Sequence, residues 1–541
     1  MKRLTWLCIV VIATVGGGFA APAIAQHEHP AGDPNKLGRV SFPVSCEPAV
    51  QPQFSSAVAM LHSFWYEKAS DTFAAVAEKD PACGMAYWGM AMTHYHQIWD
   101  ALGPGPADLK AGVSLSEKAA AAGAKTQRER DYIAAVATYY KDNNKLDHRT
   151  RALAYEKAME ELQGRYPEDR EAAVFHALAL LATAPPADKT YVNQKKAGAI
   201  LEPLFVEQPD HPGIAHYIIH AYDYPPLADK ALEAARRYAK IAPDSPHALH
   251  MPSHIFTRLG LWQESIDSNL ASSASALKNN APGNELHAKD YMIYAYLQGG
   301  RDAEAKNALT AELHGRADDP QYMNWLYATG SSKARYAVER HQWSEAAALP
   351  VPSDTFPHER YSWTEANLHF ARALGASHTG NIEVARKDVQ QLGGIREILV
   401  QEKNTYWADQ VDIQSEIAAA WITFAEGKRE DAVQLMRAAA DHEDRTDKHN
   451  VTPGVLLPAR ELLGEMLLEV KQPAAAMAEF ESTLRTAPNR FNALSGAARA
   501  AKLSGDNEKA KNYYTKLLAI CDHADGDRPE LQDARTLLAQ K

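Results

Sequence analysis

Two segments of the 541-residue chain, HYIIH at 216–220 and HALHMPSH at 247–254, concentrate imidazoles at helical spacing. His216 and His220 stand four residues apart, and so do His250 and His254. On an α-helix, residues i and i+4 share a face, so each pair directs two ring nitrogens towards one point. That geometry suits a divalent transition metal such as zinc, copper, nickel or non-haem iron. The second pair follows the first at an interval of 34 residues, position for position. If that interval is one structural repeat, the four imidazoles form a square on the concave face of a helical array. Asp223 and Asp290 are the carboxylates expected beside the square, either as ligands or orienting a ring from behind. His176, His247, Arg258, His287 and Tyr294 fall at related register positions and extend the face into a ligand groove.

The same residues admit other readings. Imidazoles together with Arg258 can hydrogen-bond a polar or anionic ligand, and a helix histidine can simply pack between helices. Duplication of a repeat copies either arrangement. Neither His-x3-His segment carries a glutamate beside its first histidine, so the general base of an HExxH site is missing. No Gly-rich phosphate loop, GxSxG, CxxC or CxxCH occurs, and the expectation leans away from an enzyme. Trp88, His94, His96 and Trp99 form an aromatic stripe that reads as core. Two function classes therefore stand: a binding or scaffold protein acting on a protein or peptide through the groove, and a metal-binding protein.

The elements that must carry these residues follow from a 34-residue period. Gly464, Ala476, Phe480 and Pro488 have the small, small, aromatic, proline spacing of a helix-hairpin repeat, and Ala510 and Tyr514 recur 34 residues after Ala476 and Phe480. A Gly-x4-Ala signature marks the turn between paired helices at Gly300/Ala305, Gly380/Ala385, Gly427/Ala432 and Gly505/Ala510. Apolar residues recur at a 3.6 period and almost never alternate. The expected fold is all-α, a tetratricopeptide (TPR)-like α-solenoid of antiparallel helix hairpins. Residues 49–345 form a solenoid with the His-rich groove, 346–525 continue the repeats, and 526–541 end in a helix or tail. Pro252 is expected to kink its helix between His250 and His254.

Composition narrows the setting. Lys and Arg number 57 against 68 Asp and Glu, a net charge of -11. No basic stripe is available to neutralise nucleic-acid phosphates. Lys2-Arg3, the apolar run Leu4–Val15 and Ala23-Ile24-Ala25 read as a signal peptide over 1–25, followed by a flexible segment over 26–48. No later segment approaches the about 18 apolar residues of a membrane span. The expected location is periplasmic or secreted, where disulfides persist. Cys46 and Cys83 flank the first repeat and are the candidate pair, and Cys521 is left over.

The blocks HSFWYEKA, DPACGMAYWGMAMT, AHYIIHAYDYPPLADKAL, HALHMPSHIFTRLGLWQESI and TPGVLLPARELLGEML resemble those of exported bacterial TPR-family proteins, across about residues 45–520. That family is largely without assigned activity. The resemblance implies a TPR fold and export, and maps histidine blocks onto His216, His220, His247, His250 and His254. It names no ligand.

Overall fold

The computed structural model describes residues 36–98, 103–311, 322–351 and 361–539. The signal peptide read at 1–25, the start of the following segment and Trp99 lie outside them.

Every regular element described is helical. Successive helices pair as antiparallel hairpins: Pro282–Gln298 with Asp302–Thr310, Trp363–His378 with Ile382–Gln401, and Thr405–Ala425 with Arg429–Glu443. Ala459–Glu469 pairs with Pro473–Thr486, and Phe491–Leu503 with Asn507–Ile520. Sterics explain the signature residues. Gly300, Gly380, Gly427 and Gly505 all take the left-handed φ that ends the first helix of each hairpin. The alanines that follow each of them, Ala305, Ala385, Ala432 and Ala510, have no exposed surface. Phe480 fills the space between hairpins, its ring lying against Gly464 and Gly496, where a Cβ would meet it at 2.8 and 2.3 Å. The chain is a TPR-like α-solenoid.

Burial follows the chain in successive patches, as expected when each hairpin contacts its neighbours. One runs from Leu37 to Ala179, a second from Phe64 to Phe256, and others lie further along, the largest from Tyr327 to Ala500. A fully buried side chain such as Phe480 contributes roughly 1.5–3 kcal/mol. Cys46 and Cys83 are disulfide-bonded, their Cα atoms 5.0 Å apart, and Cys521 is a buried free thiol.

Two expectations need correction. Residues 36–48 are packed rather than flexible: Leu37 and Phe42 are buried, and the Arg39 amide donates to the Asp210 carbonyl at 2.9 Å. The face carrying the histidines is also not an open groove. The array closes on itself, and the irregular segment after Arg429–Glu443 crosses that face. Lys189 pairs with Asp447, and Lys448 with Asp223. Tyr291 donates to the Thr452 carbonyl, and Arg335 donates to the carbonyls of Gly454 and Val455.

Candidate metal centre

Three stretches of helix position the histidines. Pro212–Tyr222 starts with proline at its first position, and His211 caps it by accepting the Ile214 amide at Nδ1. All eleven of its residues are buried. Pro246–His250 is capped by Ser245. It breaks at Met251 because Pro252 cannot donate, and resumes as Pro252–Leu259. The helix is therefore interrupted at Met251, whose backbone keeps right-handed helical angles, and the His250 and His254 rings converge. Pro282–Gln298, the first helix of the next hairpin, supplies His287 and Tyr291.

The six imidazoles fall into two groups of three. His216 Nε2 lies 3.0 Å from His220 Nε2 and 3.1 Å from His247 Nε2. His250 Nε2 lies 3.0 Å from His254 Nε2, and the His287 ring centre is 4.2 Å from that of His250. Within each group one nitrogen per ring can be chosen so that all lie within 4.8 Å of one another. The groups adjoin: ring centres are 6.2 Å apart for His220 and His254, and 6.1 Å for His247 and His250. The square expected from the repeat is thus divided into two sites, and His247 and His287 complete them. None of the six is more than 5% exposed.

Hydrogen bonds behind the rings settle where the protons are. His216 Nδ1 donates to the His62 carbonyl at 2.7 Å. His250 Nδ1 meets Asn269 Oδ1 at 2.6 Å, and Asn269 is oriented by its own amide donating to the Ser265 carbonyl. His254 Nδ1 donates to Asp223 Oδ2 at 3.0 Å. Each of these rings therefore carries its proton on Nδ1 and presents a bare lone pair at Nε2. His250 and His254 consequently point two lone pairs at each other across 3.0 Å. Burial above all, with neighbouring imidazoles or Lys448 adding to it, pushes the pKa values of all six down, that of His216 to about 3, while the His62 carbonyl at His216 and Asp223 at His254 act in the opposite direction. A cation placed between the two lone pairs would relieve the contact. His220 adds a buried Nδ1 without a hydrogen-bond partner.

Asp223 is the hub behind the second group. Its Oδ1 accepts from Arg258 Nε at 2.8 Å, and its Oδ2 accepts from His254 and from Lys448 Nζ at 2.7 Å. Burial alone would raise its pKa, but Lys448 and Arg258 hold it well below the carboxylate range. Burial pushes the Lys448 ammonium down to about 8 despite that partner. Asp223 thus orients a ring rather than facing the metal position.

A third cluster, His62, Glu171 and His211, has ligand spacing but the wrong protons. His211 Nδ1 accepts the Ile214 amide, so its Nε2 carries the hydrogen given to Glu171 Oε1 at 2.8 Å. Tyr217 OH approaches His62 Nδ1 at 2.9 Å, and His62 Nε2 meets Glu171 Oε2 at 2.9 Å. Burial works against the Glu171 charge, yet His211 and His62 pull its pKa down to about 2. The cluster is a hydrogen-bonded clasp that fixes His62, whose carbonyl in turn fixes His216.

The remaining expected residues lie elsewhere. Asp290 joins neither group of imidazoles; its Oδ1 accepts from Ser331 and Ser332 at 3.1 and 3.0 Å, and its buried Oδ2 has no hydrogen-bond partner. His176 bonds to Gln163. Tyr294 accepts from Arg490, which also holds Glu339 and Glu461. Sequence reasoning missed His62, Glu171, Asn269, Tyr291 and Lys448. Of these, only Tyr291, one turn after His287, carried a local signal.

No known family profile and no curated protein matches the chain. Solved structures do. A tetratricopeptide repeat protein from Parabacteroides merdae aligns at 14% identity over 54% of this chain and 98% of its own, with a TM-score of 0.28. The anaphase-promoting complex assembly Cut9–Hcn1 aligns at 12% identity over 90% and 83%, with a TM-score of 0.33. The Naa15/Naa10 complex bound to HypK-THB aligns at 12% over 90% and 73%, with a TM-score of 0.23. These likenesses are distant, and the fold assignment rests on the hairpins themselves.

Proposed function

We propose that this protein binds two transition-metal ions side by side. One sits on His216, His220 and His247, the other on His250, His254 and His287. The observation that carries the reading is the 3.0 Å approach of two unprotonated Nε2 atoms on His250 and His254. Rings whose Nδ1–H groups are held by carbonyl or carboxylate oxygens have the orientation that metal-bound histidines adopt. Three protein ligands per ion leave room for a further one. Lys448, beside the centre, also lines a cleft with Tyr327, Asn367, Tyr406, Gln410 and Gln414.

A TPR-like array is also a scaffold for protein partners. The segment bearing Lys448 and Thr452 covers the histidine face, so a partner docks on another face. We also propose export to an oxidising compartment, which the Cys46–Cys83 disulfide supports.

The test is the metal content of untagged protein from metal-replete growth. About two equivalents per chain are expected, falling to about one in the double variant His250→Ala/His254→Ala. Folded wild-type protein that takes up no transition metal would overturn the proposal.

A further inference from the structure

Building on the paired three-histidine reading, we infer that the ions are monovalent copper, one Cu(I) in each group. Three observations lead there.

The first is the donor set. Only imidazoles converge on the two positions. Both oxygens of Asp223 are taken by Arg258, His254 and Lys448. Asp290 falls in neither group and gives its Oδ1 to Ser331 and Ser332, and Glu285 pairs with Lys289. Magnesium, calcium and manganese favour oxygen donors, whereas an all-nitrogen set suits copper or zinc.

The second is charge. Beside the centre, Arg258 and Lys448, with Lys189 behind them, bring three positive charges against the two negative charges of Asp223 and Asp447. The site is therefore cationic before any metal enters. The cost of burying an ion rises with the square of its charge. Two dications would need carboxylate or hydroxide counter-charges that this donor set does not contain. Two monocations carry half the charge at a quarter of the desolvation cost per ion. Among monocations, sodium and potassium require oxygen ligands, which leaves Cu(I), with Ag(I) as its redox-inert mimic.

The third is coordination number and surroundings. Zinc closes a tetrahedron of four, while Cu(I) is content with three donors. The rings are enclosed by aromatic walls. Phe64 lies 4.4 Å from His216 between ring centres, Tyr238 stacks on His216 at 5.2 Å, and Tyr291 stacks on His254 at 4.7 Å. Such an apolar shell favours the lower-charged oxidation state.

The experiment uses the full metal-free chain under anaerobic conditions. Cu(I) is added in competition with a chromophoric Cu(I) chelator, then Ag(I) and Zn(II) are titrated separately, and the copper absorption edge is recorded. Binding of two Cu(I) and two Ag(I) per chain, with Cu(I) retained against about a tenfold excess of Zn(II), is the expected result. His247→Asn and His287→Asn should each remove one Cu(I), with the circular-dichroism spectrum unchanged. Displacement of Cu(I) by Zn(II), or a copper edge of the divalent form in anaerobic protein, overturns the copper inference while leaving the paired sites standing. Absence of any metal binding by wild type overturns both.

Discussion

Lys448 places its Nζ 2.7 Å from Oδ2 of Asp223, a carboxylate 225 residues earlier in the chain. The contact joins a loop between late repeats to the end of the first histidine helix, and it is buried on both sides. One acid thereby anchors Lys448, Arg258 and the His254 ring at once.

Replacing that acid should therefore have two separable effects. Asp223→Asn leaves Lys448 and Arg258 charged and unpaired in a buried setting, and a loss of about 3–5 kcal/mol in chemical denaturation is expected. It also frees the His254 ring from its charged acceptor, so affinity at the second group should fall about 10–100-fold. Metal titration of the variant should show the first group unaffected.

A pH dependence is expected from His341. Burial disfavours its charged form, but Glu465 at 3.2 Å outweighs that and lifts the pKa to about 8. The folded value thus exceeds the unfolded value of about 6.5. The contribution is complete below the unfolded value and disappears as pH rises through 8. It amounts to about 2 kcal/mol at most. The stability advantage of wild type over Glu465→Gln should shrink between about pH 6 and about pH 9 in chemical denaturation.

Gly496→Ala tests the hairpin packing. The new methyl carbon would sit 2.3 Å from the Phe480 ring, which is already enclosed by Gly464. Overpacking of this kind costs roughly 1–3 kcal/mol, and Phe480→Leu in the same chain should restore part of it. Thermal unfolding of wild type and the two variants reads the effect directly.

The disulfide gives a fourth measurement. Cys46 and Cys83 enclose a loop with a sequence separation of 37. Changing both to serine should cost about 3–4 kcal/mol. Added reductant should bring wild type towards the variant, and leave the variant unmoved.

What could be read ahead of the structure was whatever is decided locally. The glycine that ends a helix and the alanine beneath it act within a few residues, so Gly300/Ala305 and its counterparts were visible as spacing. His216 with His220, and His250 with His254, share one helix face and were equally visible. The division into two groups was not, because His247 and His287 join them from positions outside each four-residue pair. Asp290 occupies the register expected of a ligand, yet its side chain meets Ser331 and Ser332 of the next hairpin. Lys448 and Asn269 carry no periodic signal at all. The open groove failed for the same reason: the segment that covers it is irregular and lies outside the repeat pattern.

The ties across the array bear on how the chain folds. A repeat protein held by neighbour contacts alone can melt piecemeal from either end. Here Lys448 holds Asp223, the Asn489 carbonyl accepts from Trp262, and Asp525 accepts from the Ala303 amide. These contacts tie late parts of the chain to early hairpins. The molecule should lose its structure in one cooperative step, and removing the terminal helices should weaken hairpins hundreds of residues upstream. Such distant pairings also slow folding, because the chain must close large loops before they form. The acid behind His254 gains its Lys448 partner only when the last third of the polypeptide has arrived.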